Sequence, residues 1–427
     1  MEIYNLIREL YPICRSITGN GVMNTLNIIN KHIPLNIKQE PSGKQFDSWT
    51  VPKEWNINTA YIKDKSGKKI IDFDNHNLHI VNYSVPINTV MKFKELKKNL
   101  HYIKNIPDAI PYITSYYKEN WGFCLTYNQY LELEKLGDQE EYLVYIDSKL
   151  ENGFLTYADL IIPGKSKKEI LLSTYFCHPS MCHDNLSGLC LTVFLVKYLI
   201  NNNNYYTYRI VFIPETIGSV IYIHNNYNEL INNVIGGYVI THVGDSGTIK
   251  YLKTRLNDSF TDKVTIFALD ELNINYEIRK FITCGSDERN YNFPNMDLNI
   301  GSIMKSKYTE YEEYHTSKDD LNFINSANLQ NSYDIYLKCI YIIEKNMIYY
   351  TKFICEPFLT KFNLISTLSG QSYSSNFNAT FIKKVLYYID GYNDIISICN
   401  LVNESFDDVV KIIDILYTKK IIFHKLN

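Results

Sequence analysis

This 427-residue chain lacks a net positive charge, a long apolar run and a cysteine framework, and it has few arginines, histidines, glycines and prolines. Lys and Arg number 43 against 46 Asp and Glu, for a net charge of −3, so no overall positive field marks a binder of nucleic acid or anionic membrane. Apolar runs such as 169–178 and 186–200 are interrupted by polar residues and fall short of the ~20 residues that span a bilayer. The opening MEIYNLIREL is amphipathic and carries two acids, unlike a secretory signal. The nine Cys are odd in number, scattered and without a C-x-x-C pair, which excludes a disulfide framework and fits reduced thiols in the cytoplasm. A composition of 45% hydrophobic and 21% charged residues belongs to a globular protein rather than a disordered one.

What is abundant is tyrosine, with 37 residues, alongside Asn, Ile and Lys. These residues share A/T-rich codons and point to a bacterial genome of low G+C content. Single Tyr, Asn or Lys residues therefore carry little functional information. The ten His and six Arg carry more.

At ~150 residues per domain the length allows about three domains, and the chain shows three textures. Residues 1–35 suggest two helices around a Ser16–Asn20 turn. From 36 to 118, short alternating runs between turn residues suggest a small all-β domain. A helix near 128–136 and two strands around Glu151-Asn152-Gly153 follow. From 165 to 350, buried strands alternate with helices: strand 169–176, helix 186–201 capped by Asp184 or Asn185, strand 208–213, helix 217–226, strand 236–241, strand 264–268, helix 269–275, strand 298–303 and a helix over 324–346. This pattern predicts an α/β fold with a mostly parallel sheet flanked by helices. Residues 358–427 suggest three short helices and an edge strand, as in a winged helix. The expected domains are 1–35 with 119–350, an inserted 36–118, and 358–427.

In an open α/β sheet, ligands bind beyond the carboxyl ends of the strands. Four such ends carry His178 and Asp184, Glu215, His242 and Asp245, and Tyr314-His315. Imidazole and carboxylate together are what Zn²⁺ accepts. Cys177 and Cys182 flank His178 and His183 and read as packing residues.

Asp184-Asn185-Leu186-Ser187-Gly188 resembles the Asp-Asn-x-Ser-Gly segment of the zinc exopeptidases of the bacterial leucyl aminopeptidase and glutamate carboxypeptidase type. Pro214-Glu215-Thr216-Ile217-Gly218 is similar to their Glu-Glu-x-Gly segment, Ser286-Asp287 to their Ser-Asp-His loop, and Tyr314-His315-Thr316 to their last ligand. Nearly the whole chain resembles bacterial polysaccharide-biosynthesis proteins with an aminopeptidase-like domain, through Tyr11–Gly19, Ser173–Ser180 and Gly285–Arg289. That resemblance implies an inserted β domain and a C-terminal winged helix. It implies a zinc metallohydrolase, aminopeptidase-like, acting on an amide of a peptide, a small molecule, a sugar or a nucleotide-sugar. The metal ligands would be His178, Asp184 and His315, with His242 a fourth ligand or a partner behind the ligands. Glu215 would be the catalytic base, and Asp287, Arg289 and Tyr314 would line the substrate side.

Where the two-zinc peptidases have a second Glu ligand, this chain has Thr216, so one zinc is expected rather than a pair. Losing a ligand also allows an alternative: a catalytically reduced zinc-binding scaffold. Arg289 is the last of the six arginines and suits bidentate recognition of a carboxylate or phosphate, or an ion pair with Asp287 or Glu288. Residues 358–427 carry seven Lys, no Arg and six acids. The recognition helix of a DNA reader would include Glu404, Asp407, Asp408 and Asp414, so docking to a protein or a second copy is expected ahead of nucleic acid.

Overall fold

The computed structural model describes residues 2–364 and 379–425. An eight-stranded sheet runs in the order Asn36–Pro41, Phe154–Ile162, Thr207–Ile213, Glu169–Tyr175, Val234–Val239, Ile300–Met304, Ile249–Leu252, Tyr276–Arg279. The four central strands pair in parallel, Leu172 opposite Ile210 on one side and Tyr238 on the other. Glu169–Tyr175 and Thr207–Ile213 are buried at every residue. Strands buried along their whole length form where helices cover both faces of a sheet. Helix Ser187–Ile200, apolar nearly all round, follows the first of them, and helix Ile217–Asn225 the second.

A second, antiparallel sheet runs Lys69–Asp72, Glu54–Lys63, Glu141–Glu151, Ile87–Lys92. Alternate residues of Glu141–Glu151 are buried, as the two-residue period of a one-sided sheet requires. This sheet takes Glu141–Glu151 from beyond residue 118 and leaves Asn36–Pro41 to the large sheet. The reason is pairing: Asn36–Pro41 registers against Phe154–Asp159. Trp55, Tyr83 and Ile146 share one apolar cluster with Tyr175 and Ile213, so the small sheet and the large one close over a common core.

Residues 264–268 form part of helix Phe260–Glu271, not the expected strand. The run VTIFA is β-branched, but Ser259 and Asp262 cap the segment reciprocally. The Asp262 N–H donates to Ser259 Oγ at 3.2 Å, and the Ser259 N–H donates to Asp262 Oδ2 at 2.9 Å. That box satisfies orphan donors of a first helical turn and overrides local propensity.

Two compact units emerge: Met1–Asp262 with Asn275–Asp334, and Lys263–Ile274 with Ile335–Asn427. Both sheets above lie in the first. The second contains the winged helix: strand Ile348–Thr351 pairs with Asp390–Asp394 and Ile422–His424, beside helices Ala379–Tyr387, Ile395–Val402 and Phe406–Thr418. Among the described residues no helix is long and apolar enough to cross a membrane.

Candidate metal centre

The segment Cys182–Leu186 joins strand Glu169–Tyr175 to helix Ser187–Ile200, with non-helical backbone at Asp184 and Asn185. Neither residue is the N-cap; the helix opens at Ser187. Asn185 still serves the helix end, since its Oδ1 accepts from the Gly188 N–H at 3.2 Å. A Cβ on Gly188 would sit 2.4 Å from the Ile240 carbonyl oxygen. Glycine there lets the helix start press against the next strand, holding Asp184 at the edge of the sheet.

His178, Asp184 and His315 come together with their ligand atoms all within 4.8 Å of one another. His315 Nε2 lies 3.0 Å from Asp184 Oδ2, and His178 Nδ1 lies 3.9 Å from Asp184 Oδ1. His242 Nε2 is 3.8 Å from the same Oδ1. His242 is fully buried, its Nδ1 bonded to Thr241 Oγ1 at 2.6 Å, while its Nε2 has no hydrogen-bond partner. A buried, orphaned imidazole nitrogen costs free energy unless something binds it.

Burial pushes the His178 imidazole down to about 4 and that of His242 to about 3. Both are neutral near pH 7, the form that ligates a metal. Burial alone would favour neutral Asp184, but His178, His242 and His315 hold its carboxyl well below the ordinary range. Three imidazoles around one carboxylate are a donor set that Zn²⁺ accepts.

Glu215 follows strand Thr207–Ile213 and keeps 24% of its side chain exposed. Its Oε2 lies 3.7 Å from His178 Nε2, and its Oε1 accepts from Ser286 Oγ at 2.7 Å. The Glu215 N–H donates to Cys177 Sγ at 3.3 Å. Burial, then the Asp287 and Asp184 carboxylates, push the Glu215 carboxyl well above its usual value. Burial also raises the Cys177 thiol, which keeps it a neutral packing group.

Asp287 does not face the substrate side. It is fully buried, and its Oδ1 accepts from the Thr216 N–H and from Ser219 Oγ, both at 2.8 Å. It braces the turn that carries Glu215. Arg289 is exposed and donates to Thr216 Oγ1 at 2.6 Å. Tyr314 stacks on the His315 ring at 3.9 Å between centroids. Asp245 lies 3.7 Å from His183 Nε2 and away from the trio. His183 packs edge-on against His242.

Two further residues escape sequence reasoning. Tyr175 donates its hydroxyl to Asp184 Oδ1 at 2.6 Å. Asp319 accepts the N–H groups of Cys182, His183 and Asp184 at 3.1, 2.6 and 2.8 Å. The only signal for Asp319 was a carboxylate four residues after His315. Ser180, Thr216, His242 and His315 all have positive φ, at 46°, 66°, 53° and 54°. Each such non-glycine residue costs of order 1–3 kcal/mol, and such residues gather at functional sites.

The family model described as domain of unknown function DUF4910 matches residues 4–346, and one described as winged helix-turn-helix matches 347–424. A Clostridium acetobutylicum protein, named for polysaccharide biosynthesis with an aminopeptidase-like domain, is 45% identical over 417 residues, covering 97% of this chain and 94% of its own. The crystal structure of a candidate peptidase from Clostridium acetobutylicum superposes with a TM-score of 0.91 at 44% identity, over 99% of this chain and 96% of that one. A zinc aminopeptidase from Bacillus subtilis shares the fold at a TM-score of 0.59 and 11% identity, over 80% of this chain and 94% of its own.

Proposed function

The chain belongs to the DUF4910 family of polysaccharide-biosynthesis proteins with an aminopeptidase-like domain and a winged helix, and we propose that it is a zinc-dependent hydrolase of an amide bond. The observation that carries this reading is the placement of Glu215 Oε2 3.7 Å from His178 Nε2, beside the His178, Asp184 and His315 trio.

His178, Asp184 and His315 would hold one zinc, with the orphaned His242 Nε2 available as a fourth donor. Bound there, zinc supplies Lewis-acid polarisation of a carbonyl and acidification of water. Glu215 takes a proton from the attacking water and returns it to the leaving amine; burial, which raises its carboxyl above the usual range, helps it hold that proton between the two transfers. Ser286 holds Oε1 of Glu215 and leaves Oε2 toward His178. Tyr314 fixes the His315 ring by stacking. Arg289 binds an anionic group of the substrate. Its guanidinium on Thr216 also supports a single zinc, since it sets a cation where two-zinc peptidases place a carboxylate ligand.

The name of the Clostridium acetobutylicum relative, which joins polysaccharide biosynthesis to an aminopeptidase-like domain, supports a sugar-linked amide as the substrate. Metal analysis with a panel of peptide and glycosyl amides tests the reading. Zinc near one per chain and turnover that Glu215→Gln abolishes are expected; turnover indifferent to Glu215→Gln would remove Glu215 as the base, and bound zinc with no turnover of any amide would leave the scaffold reading instead.

The winged helix is inferred to dock a protein rather than DNA. Helix Phe406–Thr418 carries Asp407, Asp408 and Asp414, and its Lys411 is tied to Asp408 at 2.8 Å. Salt-dependent binding to random duplex DNA would overturn this.

A further inference from the structure

Glu215 and Thr216 open onto a cavity of about 250 Å³ that Trp49, Tyr116 and Arg289 also line. A larger cavity of about 560 Å³ lies against it, with Trp49 as the common wall and His224, Asn290 and Phe293 among its lining. Two more walls run through both. Helix Ile217–Asn225 gives Ile217 to the inner cavity and His224 to the outer. Helix Glu288–Tyr291 gives Arg289 to the inner and Asn290 to the outer. Ile217 and His224 are seven residues apart, so about 10 Å along the helix axis separates the two positions. The inner cavity is small for a whole ligand, whereas the outer falls within the ~300–1,000 Å³ of small-molecule sites.

The two cavities differ in charge. The inner one holds Arg289. No Lys or Arg lines the outer one, where Asp47 Oδ2 lies 3.1 Å from His224 Nε2. A phosphate or carboxylate needs a cationic partner, and Asp47 would repel it. What the outer cavity offers is uncovered aromatic surface at Phe293 and Tyr227, 61% and 44% exposed, with the amides of Asn290 and Asn295. Flat apolar faces edged by neutral donors and acceptors suit a hydroxylated ring with one C–H face.

We infer that the outer cavity is a distal subsite for an uncharged sugar ring, joined to the group whose amide Glu215 faces. The substrate is then a glycoconjugate of at least two rings, and a nucleotide diphosphate is excluded from that subsite. Its role relative to cleavage rests on the amide-hydrolase reading; its binding does not.

The test is calorimetric titration of the full chain with N,N′-diacetylchitobiose, N-acetylglucosamine and UDP-N-acetylglucosamine. The disaccharide should bind at least tenfold more tightly than the monosaccharide, and any affinity of the nucleotide sugar, whose diphosphate Arg289 can hold in the inner cavity, should be unchanged by Phe293→Ala. Phe293→Ala, at an exposed position that does not threaten folding, and His224→Ala should each erase most of the disaccharide advantage. Equal binding of the disaccharide and the monosaccharide, no binding of any probe, nucleotide-sugar binding lost in Phe293→Ala, or indifference of the disaccharide to both substitutions would overturn the subsite. Failure of the hydrolase reading shows elsewhere, in zinc content and in the Glu215→Gln turnover, so the two outcomes separate.

Discussion

The Asp319 carboxylate accepts the backbone N–H of Asp184 at 2.8 Å, and with it those of His183 and Cys182. One side chain thus fixes the whole segment that presents Asp184 to the three imidazoles. Replacing a group that orients a ligand typically weakens metal binding ~10–100-fold. Asp319→Ala should lower zinc affinity by that order, read by competition with a chromogenic chelator, while Tyr175→Phe, which removes one hydrogen bond to Asp184, should do so less.

Removing a ligand itself should be more severe. Asp184→Asn and His315→Ala are expected to abolish zinc retention through gel filtration. Elemental analysis of the wild-type chain should give about one zinc; a value near two would contradict the reading of Thr216.

Glu215→Gln preserves volume and leaves the trio intact. Zinc content should be unchanged, while kcat on any cleaved amide falls at least ~10²-fold, the usual scale for a lost general base.

His76 gives a pH prediction away from the metal centre. Its Nδ1 accepts from the Leu78 N–H at 3.1 Å, and burial pushes its pKa from 6.5 down to about 4. Protonation would break that hydrogen bond. The unfolded chain therefore takes up a proton below pH 6.5 that the folded chain refuses until about 4, and stability must fall as pH drops through that window. His76→Asn keeps a capping acceptor without titrating, and thermal melts at pH 7 and pH 5 should differ less in that variant than in the wild type.

The Ser259 and Asp262 box predicts a fold effect. Ser259→Ala should cost about 0.5–2 kcal/mol of stability by leaving helix donors unpaired. Chemical denaturation of the variant measures it.

Much of the large sheet is legible because Glu169–Tyr175 and Thr207–Ile213 carry runs of apolar residues, 170–172 and 210–213, without the polar alternation of a one-sided sheet. The helix over 264–268 was misread because its capping residues, not its apolar ones, decide it. Asp287 was misplaced because a Ser-Asp pair looks the same whether it faces a ligand or, as here, braces the Thr216 turn.

The sequence by itself determined the fold class and marked the candidate site, since burial patterns follow strand and helix periods and rare His stand at strand ends. Only the tertiary structure decided which groups meet. Asp319 reaches Asp184 across 135 residues, and Trp49 joins a hairpin to the wall beside Glu215. Such meetings depend on how sheets and loops close over a shared core, and chain spacing does not encode them.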